Sequence, residues 1–151
     1  QDLYGVEYCA VIKNIVAMAC GITRGLGFGD NFQAVLVSNA MQEIKIFLDV
    51  VYPEKNRDLN SSGYLGDLLV TAYSQFSRNR TFGNMIGRGY SVKSAQIEMN
   101  MIAEGYYAVR SIYSISRQHN IQLPIIEAVY NIVYEKANPM LEMNKLKGFL
   151  K

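Results

Sequence analysis

The sequence is poor in the residues that build metal sites and disulfides. It contains one histidine, His119, and two cysteines, Cys9 and Cys20. This set is too small for the ligand cluster of a zinc site, so we expect no metal. The cysteines share one face of a predicted helix but lie about 16 Å apart along it, which excludes a disulfide between them. Two buried thiols and the lack of a signal-peptide pattern favour the reducing cytoplasm.

Charge is scarce as well. Charged residues make up 19% of the chain, and the formal net charge is +2. Such a weak charge does not favour binding to nucleic acid or to an anionic membrane surface. The apolar share of 50% is too high for a disordered chain. At 151 residues, the chain is long enough to bury the core of one domain.

Helical spacing dominates what is present. Apolar residues recur three and four positions apart in the long segments, and no alternating strand pattern is seen. Asp30 and Ser91 are predicted N-caps, while Pro124 and Pro139 suit the first turns of helices. We therefore predict one all-α domain of about seven helices. Seven helical segments are placed near residues 5–22, 31–51, 63–76, 79–86, 91–99, 101–118 and 124–137, with a loop over 52–62, and Pro139 could open a final short helix to about residue 146.

Lys13 and Asn14 are the strongly polar residues of the apolar stretch 8–22. A helix that is apolar on all sides is normally buried, and a buried ammonium without a partner costs several kcal/mol. Lys13 should therefore have a carboxylate partner, lose its charge, or act on a bound ligand. The alternative is a lysine that snorkels to solvent. We expect the stretch to be too short, and too polar at its centre, to cross a membrane.

A glycine-rich segment follows, with Gly25, Gly27 and Gly29. It resembles a nucleotide-binding loop, but its spacing is wrong and it follows a helix rather than a strand. We favour a helix break that lets two helices pack closely.

Asp67 is the acidic residue of another apolar segment, so it needs a cationic partner, and Lys13 is the natural candidate. Thr71 shares its helical face. Further along, Ser77, Arg78 and Asn79 fall at a junction between predicted helices. Free backbone N–H groups, a guanidinium, a hydroxyl and an amide at a helix start would suit a phosphate. The alternative is a serine cap flanked by solvated arginines.

The segment 101–118 carries polar and aromatic residues with simpler interpretations. Taken alone, Glu104 is best read as a surface residue. Tyr106, Tyr107 and Tyr113 fit core packing better than a platform for stacking a ligand.

Taken in order, these motifs resemble the C-terminal domain of NAD(P)-dependent glycerol-3-phosphate dehydrogenases. The motifs that carry the resemblance are Glu7-Tyr8-Cys9, Ile12-Lys13-Asn14, Gly25-Leu26-Gly27-Phe28-Gly29-Asp30-Asn31, Gly66-Asp67-Leu68, Ser77-Arg78-Asn79-Arg80 and Glu104-Gly105. The resemblance implies a 6-phosphogluconate dehydrogenase C-terminal-domain-like fold across residues 1–151. It also implies an N-terminal Rossmann domain, absent from this chain, with the active site between the two.

The resemblance further implies a role for each matched residue in the interconversion of dihydroxyacetone phosphate and sn-glycerol 3-phosphate. Lys13 would be the general acid and base at the C2 oxygen of the substrate. Asp67 would hold the substrate hydroxyl and pair with Lys13. The substrate phosphate would be bound by Ser77, Arg78 and Asn79. Asn14 and Thr71 would contact other atoms of the substrate. The NAD or NADP cofactor would be contacted by Arg78, Ile102 and Glu104.

An enzyme of this kind would act in the cytoplasm and supply a precursor of glycerophospholipids. A homodimer is one possible oligomeric state. The chain alone should be inactive, because the dinucleotide is held mainly by the Rossmann domain. Two alternatives remain: the C-terminal domain of a related β-hydroxyacid or 6-phosphogluconate-type dehydrogenase, and a non-enzymatic helical interaction module.

The sequence departs from the family pattern away from these implied catalytic positions. Phe32 and Gln33 stand where a threonine and a lysine are usual, and Asn39 lies near a usual arginine. Tyr64 and Ala10 replace glycines. These changes bear on packing and on cofactor preference.

Overall fold

The computed structural model describes residues 3–59, 62–74 and 77–151. These residues form eight α-helices and one π-helical turn, and they contain no strand, which confirms the all-α prediction. The elements are α1 (Leu3–Gly25), α2 (Asp30–Val51), the π-helical turn (Ser62–Gly66), α3 (Asp67–Tyr73), α4 (Arg78–Gly87), α5 (Val92–Met99), α6 (Glu104–Gln118), α7 (Pro124–Tyr134) and α8 (Pro139–Lys147).

Helix α1 is the centre of the fold. It contacts α2, α3, α4, α6 and α7, and every residue from Ile15 to Thr23 is buried. A helix enclosed by neighbours on all sides has no face that must be polar. This explains why the enclosed part of the helix is apolar on every face apart from Thr23; Lys13 lies just before it.

A close contact joins α1 to α4 through glycine. A side-chain carbon on Gly83 would overlap the carbonyl oxygen of Met18, and one on Gly21 would overlap the carbonyl oxygen of Arg80. The two backbones therefore touch without side chains between them. Gly25 meets α4 in the same way. The close packing predicted for the glycine-rich segment is thus confirmed at Gly25, whereas a carbon added to Gly27 or Gly29 meets nothing within 4 Å.

Several predicted boundaries were wrong for local reasons. Asp30 is the first residue of α2 rather than its cap: Gly29 is the N-cap, and the Asp30 carboxylate pairs with Arg24 at 2.6 Å. Helix α5 ends at its C-cap Asn100, which is left-handed (φ 55°), and α6 starts at Glu104, later than predicted, because its N-cap Ala103 is extended (φ −69°, ψ 139°). Ser91 is the N-cap of α5, as predicted.

The segment predicted as a helix over 63–76 begins as the π-helical turn and continues as α3 to Tyr73. It ends there because Ser74 is extended, with φ −70° and ψ 125°. Residues 75 and 76 lie outside the described residues. Helix α7 ends at Tyr134, short of the predicted residue 137, because Lys136 is left-handed (φ 56°).

The tyrosines of α6 divide between packing and exposure. Tyr113 stacks on Tyr130 with 3.7 Å between ring centroids, and Tyr106 stacks on Tyr134 at 4.6 Å. These contacts confirm a packing role for both. Tyr107 is exposed and meets the edge of Tyr106, so its assignment to the core was wrong.

Helix α1 has 23 residues and passes the length and composition test for a membrane span. The expectation that it is too short was therefore wrong, because the helix extends beyond the apolar stretch at both ends. In its most apolar window, 61% of the residues are buried inside the protein. That is the behaviour of a core helix, which passes the same test.

Candidate active site

An ion pair joins the two charged residues that the sequence singled out. Lys13 Nζ on α1 lies 2.7 Å from Asp67 Oδ2 at the start of α3, across 54 positions of sequence. The predicted partnership is confirmed. Its predicted burial is not, since the side chains are 23% and 42% exposed. The pair lies at the edge of the core, where a small molecule can reach it.

Asn14, the neighbour of Lys13, links α1 to α6. Its Nδ2 donates to Glu104 Oε2 at 3.3 Å. Glu104 is exposed, as its sequence context predicted, and it is also the first residue of α6. The hydrogen bond therefore holds the start of α6 beside the Lys13–Asp67 pair.

Asn79 also fixes the start of α6. It is buried, and its Oδ1 accepts from the backbone N–H of Gly105 at 2.7 Å. A side-chain carbon on Gly105 would lie 2.7 Å from that oxygen and 2.9 Å from the carbonyl oxygen of Asn14. Helices α1, α4 and α6 thus meet at a glycine. The carboxamide oxygen of Asn79 is already used, which leaves its NH₂ group to donate to a ligand.

The start of α4 has features of both interpretations of the Ser77-Arg78-Asn79 motif, the serine cap and the phosphate site. Ser77 is the N-cap, and its Oγ accepts from the backbone N–H of Arg80 at 3.2 Å. This part agrees with the capping alternative. Arg78 is exposed, while the Arg80 guanidinium donates to the carbonyl oxygen of Ala72. The first turn of α4 still offers unpaired backbone N–H groups and the positive end of the helix dipole.

These side chains surround an open cleft of about 430 Å³. Six residues singled out from the sequence line it, namely Thr71, Ser77, Arg78, Asn79, Ile102 and Glu104. Lys13, Asn14 and Asp67 lie beside it: Asn14 through its bond to Glu104, and Asp67 one helical turn before Thr71. The structure thus brings all nine proposed site residues to one region.

The lining also includes residues that the sequence did not single out. Val70 is 70% exposed and forms part of the wall, together with Ser74 and Met101. Val70 directly precedes Thr71 on α3, so its position next to a predicted ligand residue was the available signal. Ser74 and Met101 lie between helices and gave no periodic signal.

Cys9 lies close to the ion pair, near enough to feel the charges of Asp67 and Lys13. It is buried, and its Sγ is 3.9 Å from the carbonyl oxygen of Tyr64. Burial, together with the Asp67 charge, raises the pKa of the Cys9 thiol to about 11. The thiol is therefore protonated at neutral pH and unsuited to act as a nucleophile.

With this geometry in view, comparison with known proteins decides the family. The family profile described as "NAD-dependent glycerol-3-phosphate dehydrogenase C-terminus" matches residues 2–144. The chain belongs to this family.

Individual members agree with the family assignment. The glycerol-3-phosphate dehydrogenase [NAD(P)+] of Staphylococcus carnosus is 42% identical over 146 residues, which cover 97% of this chain and 43% of the relative. The Chlamydia caviae enzyme is 40% identical over 135 residues, which cover 89% of this chain and 40% of that relative. The chain thus spans less than half the length of these relatives.

Solved structures show the same fold. The crystal structure of glycerol-3-phosphate dehydrogenase from Coxiella burnetii aligns with a TM-score of 0.91 at 34% identity, covering 97% of this chain and 45% of that one. The Saccharomyces cerevisiae enzyme aligns with a TM-score of 0.86 at 25% identity, covering 97% of this chain and 43% of that one. The family assignment favours the glycerol-3-phosphate dehydrogenase interpretation over the β-hydroxyacid-type and interaction-module alternatives.

Proposed function

We propose that this chain is the substrate-binding and catalytic C-terminal domain of an oxidoreductase that interconverts dihydroxyacetone phosphate and sn-glycerol 3-phosphate with NAD or NADP. The observation that carries the proposal is the Lys13–Asp67 ion pair beside the cleft at the start of α4. A proton donor and an anion-binding helix terminus are then within reach of one small phosphorylated molecule.

The phosphate binds at the start of α4. The Arg78 guanidinium is exposed there, and it can form a bidentate, charge-assisted contact with phosphate oxygens. The free N–H groups of the first turn add donors and the favourable end of the helix dipole. Asn79 contributes its NH₂ group. Ser77 acts mainly by capping the helix, which keeps this turn in place.

Lys13 handles the proton at the C2 oxygen. In the direction of reduction, its ammonium donates a proton to the carbonyl oxygen as C2 becomes tetrahedral, and in oxidation the amine takes the proton back. Asp67 holds the ammonium from one side at 2.7 Å. Asn14 and Thr71 are placed to position the substrate beside it.

The open mouth of the cleft fits a nicotinamide ring. Ile102 and Val70 are 42% and 70% exposed, so they offer an apolar wall, and Arg78 and Glu104 supply polar groups at its edge. When bound, NAD(P)H supplies the hydride that is added to C2. We assign most of the dinucleotide contacts to a Rossmann domain outside residues 1–151, since the chain spans only 43% of its Staphylococcus carnosus relative.

On this proposal, the enzyme works in the cytoplasm and supplies sn-glycerol 3-phosphate for glycerophospholipid synthesis. The chain alone should not oxidise NADH with dihydroxyacetone phosphate, because hydride transfer requires the nicotinamide to be positioned against C2.

The test compares two variants of the whole enzyme that contains this chain, assayed by NADH oxidation with dihydroxyacetone phosphate. Lys13→Ala should lower kcat by roughly two to four decades with a smaller change in KM. Arg78→Ala should act mainly on KM, with a loss of roughly 1.5–3 kcal/mol. Arg88→Ala, at the opposite end of α4, is the matched control and should leave both unchanged. Identical kinetic changes in the first two variants would contradict the proposed division of roles.

A further inference from the structure

A second cavity lies away from the cleft and shares no residue with it. Its volume is about 800 Å³, larger than the 430 Å³ of the cleft. It is bounded by the end of α4, the start of α5, the start of α6, the end of α7 and the α7–α8 connection. Cavities of this size accommodate small organic ligands, and an apolar lining with a few polar groups is typical of them.

The floor of the cavity is apolar and aromatic. Aliphatic side chains come from α4, α5 and α7, including Ile86, Val92 and Ile132. The rings of Tyr106 and Tyr134 are stacked on each other, and the Tyr134 hydroxyl donates to the Tyr106 carbonyl oxygen at 2.5 Å. The Tyr134 hydroxyl is already satisfied, so Tyr134 offers ring surface to a ligand rather than a polar group.

The charges around the cavity have one sign. Lys93 and Lys136 line it, and no aspartate or glutamate does. Within residues 3–59, 62–74 and 77–151, neither lysine takes part in an ion pair. Both amines are exposed. Two cations without counter-ions beside an apolar floor are complementary to a molecule with an apolar body and an anionic end.

The backbone at Lys136 is an independent sign that this residue is unusual. Helices α5, α6 and α7 are each followed by a left-handed residue: Asn100, Asn120 and Lys136, with φ of 55°, 55° and 56°. Asparagine tolerates this conformation, whereas a long side chain is disfavoured in it. Residues held in such conformations are enriched at ligand sites. Of the three left-handed residues, Lys136 is the one with a long side chain, and it lies at the edge of the cavity.

We propose that this cavity binds a small amphipathic anion, with a flat or acyl apolar body on the tyrosine floor and a carboxylate, sulfonate or phosphate group between Lys93 and Lys136. The site is separate from the proposed catalytic cleft and does not depend on the proposed function.

The test uses 1-anilinonaphthalene-8-sulfonate as the probe, with the 151-residue chain. Fluorescence titration gives the affinity, and amide NMR shifts locate the probe. We expect saturable binding with shifts at Lys93, Gln96 and Ala137. N-phenyl-1-naphthylamine, the same body without the sulfonate, should bind about tenfold more weakly, because it loses a charge-assisted contact.

Variants separate the site from general surface binding. Lys93→Gln and Lys136→Gly should each weaken sulfonate binding by about five- to tenfold, and Lys136→Gly also relieves the left-handed backbone, so it should fold. Gln96→Trp should block the cavity and abolish binding. Lys55→Gln, an exposed lysine outside the cavity, is the matched control and should bind as the unchanged chain does.

The proposal is overturned by equal affinity in the lysine variants and the control, or by shifts confined to the cleft around Thr71 and Ile102. It is also overturned if sedimentation shows a dimer that Gln96→Trp disrupts, since the cavity would then be an interface.

Discussion

The two ends of the α1–α4 helix pair are built in opposite ways. At the packed end, which takes in residues 80–87 of α4, the backbones touch through Gly21 and Gly83, with no room for a side-chain carbon. At the other end the helices carry Lys13 and Asn79 and open toward the cleft. The packed end leaves no freedom for α4 to slide along α1. It therefore sets the distance between the proton donor and the start of α4, where the phosphate is proposed to bind.

Charged groups also differ between the packed body of the protein, meaning the buried contacts of α1, α2, α4 and α7, and the cleft. Glu43 on α2 is enclosed, and its two oxygens accept from the N–H groups of Ile125 and Ile126 at 2.7 and 3.3 Å, at the start of α7. Lys13 and Asp67 face each other while partly exposed. The enclosed carboxyl serves the fold, and the accessible pair is available for chemistry.

The largest effect should follow from a change at the packed end. Gly83→Ala forces a side-chain carbon onto the Met18 carbonyl oxygen, so we expect a loss of about 4 kcal/mol or more in the free energy of unfolding. Gly29→Ala is the matched control, because nothing lies within 4 Å of its added carbon. Chemical denaturation measures both. Equal stability in the two variants would contradict the claim that the backbones touch.

Glu43 should make the packed body sensitive to pH. Burial, the largest cause, raises the pKa of Glu43 from 4.5 to about 8, while the N–H donors of Ile125 and Ile126 oppose the rise. The folded state then binds a proton that the unfolded chain releases, so this stabilisation is complete below pH 4.5 and is lost as the pH rises through 8.

From pH 5 to pH 8, the free energy of unfolding should fall by about 3 kcal/mol through this group. Glu43→Gln, which cannot titrate, should flatten that slope even if its stability is lower at every pH. Denaturation curves at several pH values give the comparison. A slope unchanged by the substitution would show that Glu43 is ionised in the folded chain.

An intermediate effect is expected where the packed body meets the cleft. Asn79→Leu removes the acceptor of the Gly105 N–H and leaves a buried donor unpaired, at a cost of about 2 kcal/mol. Asn39 is a half-buried asparagine whose two hydrogen bonds are both exposed to solvent: it donates to the carbonyl oxygen of Val35 at 2.8 Å and accepts from the N–H of Lys151 at 3.1 Å. Asn39→Leu should therefore cost less than about 0.5 kcal/mol. If the two losses matched, Asn79 would not be the clamp between α4 and α6.

The smallest change in stability should come from the cleft itself. Asp67→Asn removes the ion pair between Lys13 and Asp67, whose side chains are 23% and 42% exposed. Such pairs contribute at most about 1 kcal/mol. The folded chain should therefore tolerate the change, while the whole enzyme loses activity because Lys13 is no longer held. A stability loss above about 2 kcal/mol would mean that the pair serves the fold.

The sequence predicted those parts of the molecule that depend on local pattern or on unusual composition. The helices follow from apolar spacing, and the Lys13–Asp67 pair follows from two charges in apolar segments that each require a partner. Other features depend on distant residues that become neighbours only in the fold. Glu43 reaches Ile125 across 82 positions, and Asn79 reaches Gly105 across 26, and neither contact has a periodic signal.

The most direct test of the account is a crystal structure of the whole enzyme with sn-glycerol 3-phosphate bound. The account predicts the C2 oxygen within about 3.2 Å of Lys13 Nζ, with phosphate oxygens on Arg78 and the first N–H groups of α4. A phosphate bound elsewhere, such as between Lys93 and Lys136, or a C2 oxygen beyond the reach of Lys13, would contradict it.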